Sequence, residues 1–196
     1  MIMIRYGIFL IVFLCSSVYA FSQNKYEREQ RVSKDDFPEK AMNDLSKALE
    51  GAKKVRFYRE IDSAKSSFEA KFKKGRLWYS VEFDTTGALE DIEINIKEID
   101  VPNESWKNIT TYLNTNFIRT RIKKIQQQYP ASKEESARIT LKNAFQNLLL
   151  PSIRYEIIVA GKKEKEYEEY EILFDAQGSF IQMRKSLPSN YDHVLY

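Results

Sequence analysis

The sequence predicts an α+β protein of two tandem repeats, each a helix packed on a four-stranded antiparallel meander, with an extra helix inserted in the second. Three observations predict this. The hydrophobic period changes from 3.6 to 2 after Gly51. The same order of elements restarts at Pro102. Two hairpin segments can also be laid on each other, VEFDTTG at 81–87 and ILFDAQG at 172–178, which an internal duplication explains most simply.

Residues 1–23 read as a signal peptide. Residues 1–5 supply the positive end, residues 6–14 a short apolar core and residues 16–20 a small-residue exit, with cleavage after about Ala20 or Gln23. The apolar core is shorter than the ~20 residues a membrane-spanning helix needs, so no integral membrane span is expected. Cys15 follows Leu14, where lipid attachment would favour a small residue. Cleavage removes the single cysteine, so an exported, periplasmic or extracellular domain of about 170 residues must be held together by burial alone.

Residues 24–35 are polar and read as a flexible segment, with a short extended piece at Arg31 and Val32. A helix follows, with Asp35 or Asp36 as N-cap, Pro38 in its first turn, and Phe37, Ala41, Leu45, Ala48 and Leu49 at helical spacing; Gly51 ends it. Four strands then alternate: Val55 to Ile61, Phe68 to Phe72, Leu77 to Phe83 and Ile92 to Ile96, with a bulge expected between Leu89 and Ile92. This makes residues 36–100 the first repeat. The second, residues 101–187, opens on a helix carrying Trp106, Ile109 and Leu113. Residues 117–129 fit helix by the spacing of Ile118, Ile122 and Ile125, and strand by their β-branched content. The inserted helix is placed at about 133–149, with Ser132 as cap and Glu135 three residues on, and three further strands reach Met183. Residues 188–196 form a polar tail.

An export signal, a proline opening a short helix, strands with aromatic alternation and the repeated Phe-Asp-x-x-Gly hairpin resemble the PepSY-like family of secreted bacterial proteins. That family is similar in fold to the repeats of the β-lactamase inhibitory protein. The resemblance covers residues 37 to about 187. It implies a periplasmic or outer-surface protein that binds or inhibits, and it carries over no catalytic residue.

Chemistry-bearing patterns are scarce. The single histidine, His193, lies in the polar tail, so neither a metal site nor a serine-histidine arrangement is expected, and no cofactor is implied. The glycines are scattered and form no phosphate loop. Glu164, Glu166, Glu168, Glu169 and Glu171, interleaved with Lys162, Lys163 and Lys165, read as a solvated surface rather than a general acid and base pair. Asp84 and Asp175 read as turn residues. A net charge of +3 with mixed signs argues against a nucleic-acid partner, the local run of Arg119, Arg121, Lys123 and Lys124 notwithstanding.

One surface stands out. If Leu77, Tyr79, Val81 and Phe83 face the core, Trp78 points away from it, as does Tyr58 on the first strand. Aromatic rings on an open sheet face are frequent anchors for partners. Tyr58 and Trp78 are therefore the candidate partner-binding residues, unless the two rings cover each other or pack under the N-terminal segment or against the second repeat. The expected function is a non-enzymatic envelope protein that recognises a protein or peptide through this face. The alternative is a structural or assembly scaffold of an outer-membrane or sensory complex.

Overall fold

The computed structural model describes residues 24–25, 27–62 and 65–186. The expected signal peptide, Cys15 and the tail with His193 lie outside them.

The chain begins with β1 (Asn24–Lys25) and β2 (Glu27–Val32), then a 3-10 turn at Lys34–Asp36. There the Asp36 carboxylate accepts from the Ser33 backbone N–H at 3.1 Å and the Ser33 hydroxyl at 2.7 Å. Helix α1 (Glu39–Leu45) follows, so the helix starts later than the expected Asp35 or Asp36 cap. The strands β3 (Lys53–Asp62), β4 (Lys65–Lys74), β5 (Leu77–Asp84) and β6 (Leu89–Asn95) form the anticipated meander. The anticipated bulge is present, as a register shift where Glu82 faces Asp91 and Phe83 faces Leu89. Beyond it lie α2 (Asn103–Asn116), β7 (Arg119–Pro130), α3 (Ala137–Phe145), β8 (Arg154–Lys162), β9 (Tyr167–Asp175) and β10 (Phe180–Ser186).

The expected pair of helix-on-four-strand repeats, for which the sequence leaves open whether the two sheets join, is not what forms. β6 and β7 pair antiparallel, from Asp91 opposite Pro130 to Asn95 opposite Gln126, so all strands join one sheet in the order β1-β10-β9-β8-β7-β6-β5-β4-β3-β2. Nine of these run antiparallel, and only the short β1 pairs parallel, with β10. An exposed edge on each half would present a row of unpaired backbone groups, and joining the two halves removes both inner edges. The ambiguous segment 117–129 is strand over Arg119–Pro130. The inserted helix is shorter than 133–149, because Ser132 caps a local turn through the Glu134 N–H while α3 begins after Ser136. Residues 27–32, expected to be flexible, pair along β3 through backbone bonds that need no apolar side chains.

One face of the sheet carries the core. Phe37 enters beneath α1 and meets Phe57, Phe68 and Phe83 with ring centroids 5.0, 5.5 and 5.9 Å away. Burying a phenylalanine this way contributes about 1.5–3 kcal/mol. Ile92, Ile94, Tyr155, Ile157, Ile172 and Phe174 continue the same cluster across β6, β8 and β9.

The two hairpins use the same turn. The Asp84 Oδ1 accepts the N–H groups of Thr86 at 2.8 Å and Ala88 at 2.9 Å, and the Asp175 Oδ1 accepts those of Gln177 at 2.9 Å and Ser179 at 2.7 Å. Gly87 and Gly178 follow at φ +79° and +80°, a region costly for any residue with a Cβ. Each turn seats a helix. A Cβ at Gly87 would touch Pro38, Lys40 and Ala41 ahead of and within α1, and one at Gly178 would lie 2.2 Å from the Ser105 carbonyl oxygen of α2.

Candidate functional site

Alternation along each strand sends the other set of side chains to the face away from the helices, and there the composition inverts. Strand register aligns Tyr58, Glu69, Glu82 and Asp91 across β3 to β6, and Ser80, Glu93 and Gln128 across β5 to β7. Gln126 lies opposite Glu156, and Glu171 opposite Arg184, continuing the row onto the last strands.

This polar face is not an open plane. Glu69, Gln126, Glu156 and Glu171 are at most 8% exposed, values that a flat solvated sheet would not give. The sheet curls until its far strands approach each other. Arg184 on β10 donates to Asp62 at the end of β3 at 2.7 Å and to Glu171 on β9 at 2.7 Å. The N-terminal segment crosses the same junction, with β1 on β10 and β2 on β3.

The chemistry inside the curl is acidic. Lys65 lies 2.7 Å from Glu90 and 3.6 Å from Glu82, and Lys71 lies 2.5 Å from Glu29 and 2.9 Å from Glu69. Burial works against the charge of Lys71, but Glu69 and Glu29 outweigh it and hold its pKa above the ordinary lysine value. Burial pushes the Glu69 carboxyl up despite Lys71 and the Ser80 hydroxyl, which donates to it. Asp91 is raised well above the usual range, first by burial and then by Glu93, Glu82 and Glu90; Glu82 is raised by burial too. Two glutamine amides are aimed at this cluster: Gln128 donates to Asp91 at 3.1 Å, and Gln126 donates to Glu93.

Glu29, Glu60 and Glu69 bring oxygens within 4.8 Å of one another, the one carboxylate grouping of metal-ligand dimensions among the described residues. The Lys71 ammonium already bridges two of them, so the group is an ion-pair cluster built around a lysine.

Tyr58 and Trp78 share this face but do not cover each other. In the register, Tyr58 stands opposite Glu69 and Trp78 opposite Lys73, well apart along β4. Each ring has a lysine over it instead, Lys71 at 5.1 Å from Tyr58 and Lys54 at 5.5 Å from Trp78. Arg31 of β2 lies beside Tyr58, while Trp78 is 38% exposed at the rim. The charged run before β9 divides as well. Lys163–Glu166 are exposed, but Glu171 turns into the curl, so it is not part of a solvated surface.

Neither a family model nor a curated protein matches the sequence, and the PepSY-like resemblance therefore has no support. Solved structures do match. A DUF2874 family protein from Bacteroides ovatus superposes with a TM-score of 0.54 at 12% identity, over 76% of this chain and 87% of that one. A protein from Bacteroides eggerthii assigned provisionally to the periplasm gives 0.52 at 14% identity, over 76% and 88%. A BLIP-like protein from Bacteroides fragilis gives 0.50 at 10% identity, over 82% and 92%.

This chain has the BLIP-like fold. At such identities the likeness extends to the fold and to nothing finer. Among the described residues no helix is long and apolar enough to cross a membrane.

Proposed function

We propose that this BLIP-like chain is an exported, non-enzymatic envelope protein that binds a basic protein or peptide segment on the polar face of its curled sheet. The observation that carries the reading is the row of carboxylates on Glu69, Glu82 and Asp91, adjacent across neighbouring strands. Burial raises the pKa of all three. A cluster of this kind is held at a cost in partly desolvated surroundings, and an incoming lysine or arginine side chain offsets that cost. Trp78 at the rim supplies apolar area for the first contact, and Tyr58 supplies it deeper along β3. Export follows from residues 1–23, and the fold neighbour assigned provisionally to the periplasm is consistent with it.

The test is the binding of a lysine-rich decapeptide to the protein and to the E82Q/E93Q variant. The reading expects saturable binding that weakens with salt, because ion pairing at a partly open face is screened, and that drops at least tenfold in the variant. Equal binding by both proteins would exclude this face.

A further inference from the structure

On the opposite side of the sheet, α1 and α3 do not close against each other. The gap between them is a cleft of about 450 Å³, within the size range of small-molecule sites. Its floor is apolar, formed by Ala48, Leu141 and Phe145. Its rim carries the cations Lys47, Arg138 and Lys142 against one acid, Asp44.

The placement of these cations is informative. An amphipathic helix ordinarily turns its charges away from its apolar stripe. On α3, however, Arg138, Leu141, Lys142 and Phe145 recur at helical spacing and line the cleft together. Arg138, Lys142 and Lys47 are exposed, and none of them is engaged in an ion pair among the described residues. A further lysine bridges two residues of the floor. The Lys74 ammonium of β4 donates to the Ala48 carbonyl at 2.8 Å and lies 4.7 Å from the centre of the Phe145 ring. Lys74 thus links the two sides of the cleft floor, Ala48 and Phe145.

We propose that this cleft binds a single-chain anionic amphiphile, with its acyl chain on Leu141 and Phe145 and its carboxylate or phosphate at Lys47, Arg138 and Lys142. A bare anion leaves the apolar floor unused, and a neutral chain leaves the cations unused; only a molecule with both parts matches the lining. The site is separate from the acidic face, so the two readings stand or fall independently.

The experiment is titration of the protein with laurate below its micelle concentration, followed by calorimetry and by amide shifts in α1 and α3. Dodecyl maltoside serves as the uncharged chain and inorganic phosphate as the chainless anion. The expected result is 1:1 laurate binding with shifts confined to the cleft, at least tenfold weaker in R138E/K142E and unchanged in K133E, outside the cleft. These positions are exposed, so the substitutions remove no buried side chain. Absence of saturable laurate binding, equal binding of dodecyl maltoside or phosphate, or indifference to R138E/K142E would each overturn the proposal.

Discussion

Arg184 and Asp62 are separated by 122 residues and joined by a 2.7 Å ion pair that draws β10 onto the end of β3. The same guanidinium reaches the buried Glu171, so one side chain ties together three strands of the curl. Replacing Arg184 by Met keeps most of the volume and removes the charge. The expected loss is about 1–3 kcal/mol, the scale of charge-assisted hydrogen bonds at a partly buried site. Urea unfolding measures it, and amide exchange should quicken first in β1, β2 and β10.

The acidic face makes stability depend on pH in a definite direction. A carboxyl whose pKa is raised by folding binds its proton more tightly in the folded state, so its stabilising protonation is complete below the ordinary carboxylate range and is lost as pH rises through the folded pKa. Asp91, Glu82 and Glu69 all have that sign. The groups facing Asp91 are Glu82, Glu90 and Glu93, with Lys65 in partial compensation and Gln128 donating to it. D91N should therefore stabilise the protein at pH 8, with the gain shrinking towards pH 4. Urea midpoints at the two pH values check this, and a gain that grew on acidification would contradict it. Asp36, Asp84 and Glu168 have lowered values from hydrogen bonds and act in the opposite sense at lower pH.

Two glycines with similar backbone angles should respond very differently to alanine. Gly75 has φ +60° and nothing within 4 Å of a built Cβ, so G75A should cost only about 1 kcal/mol of backbone strain. At Gly178 the same change adds a Cβ 2.2 Å from the Ser105 carbonyl, where α2 is also tied by Ser105 to Ala176 and by Asn108 to Gln177. G178A should cost about 3 kcal/mol or more, as strain and steric clash combine. Parallel denaturant curves decide between them.

The meander strands β3 to β6 and the bulge at Glu90 were legible because one face is apolar and the period of 2 shows directly in the residues. β7 was not. From Ile125 to Tyr129 every residue is buried, Ile125, Gln127 and Tyr129 on the core side and Gln126 and Gln128 against the acidic cluster, so polar residues fill both faces and alternation disappears. β2 is legible only at Arg31 and Val32, for a different reason: it binds an edge through its backbone, and none of its described side chains is buried to give a signal. Tyr58 and Trp78 were assigned to the right face by alternation alone. The carboxylates around them looked like the solvated side of ordinary amphipathic strands. Their concentration at one place depends on which strands pair and how far the sheet curls, and both properties arise from contacts between distant residues such as Arg184 and Asp62. The join of β6 to β7, which merges the expected repeats into one sheet, has the same origin.

The most direct measurement on the central claim is in-cell photo-crosslinking with the probe at Trp78, on the rim of the acidic face, and at Lys163, in the exposed turn before β9, as control. The account predicts a discrete adduct at Trp78 and none at Lys163, with the adduct lost in E82Q/E93Q. An adduct at Lys163 alone, or a Trp78 adduct indifferent to E82Q/E93Q, would contradict binding through the acidic sheet face.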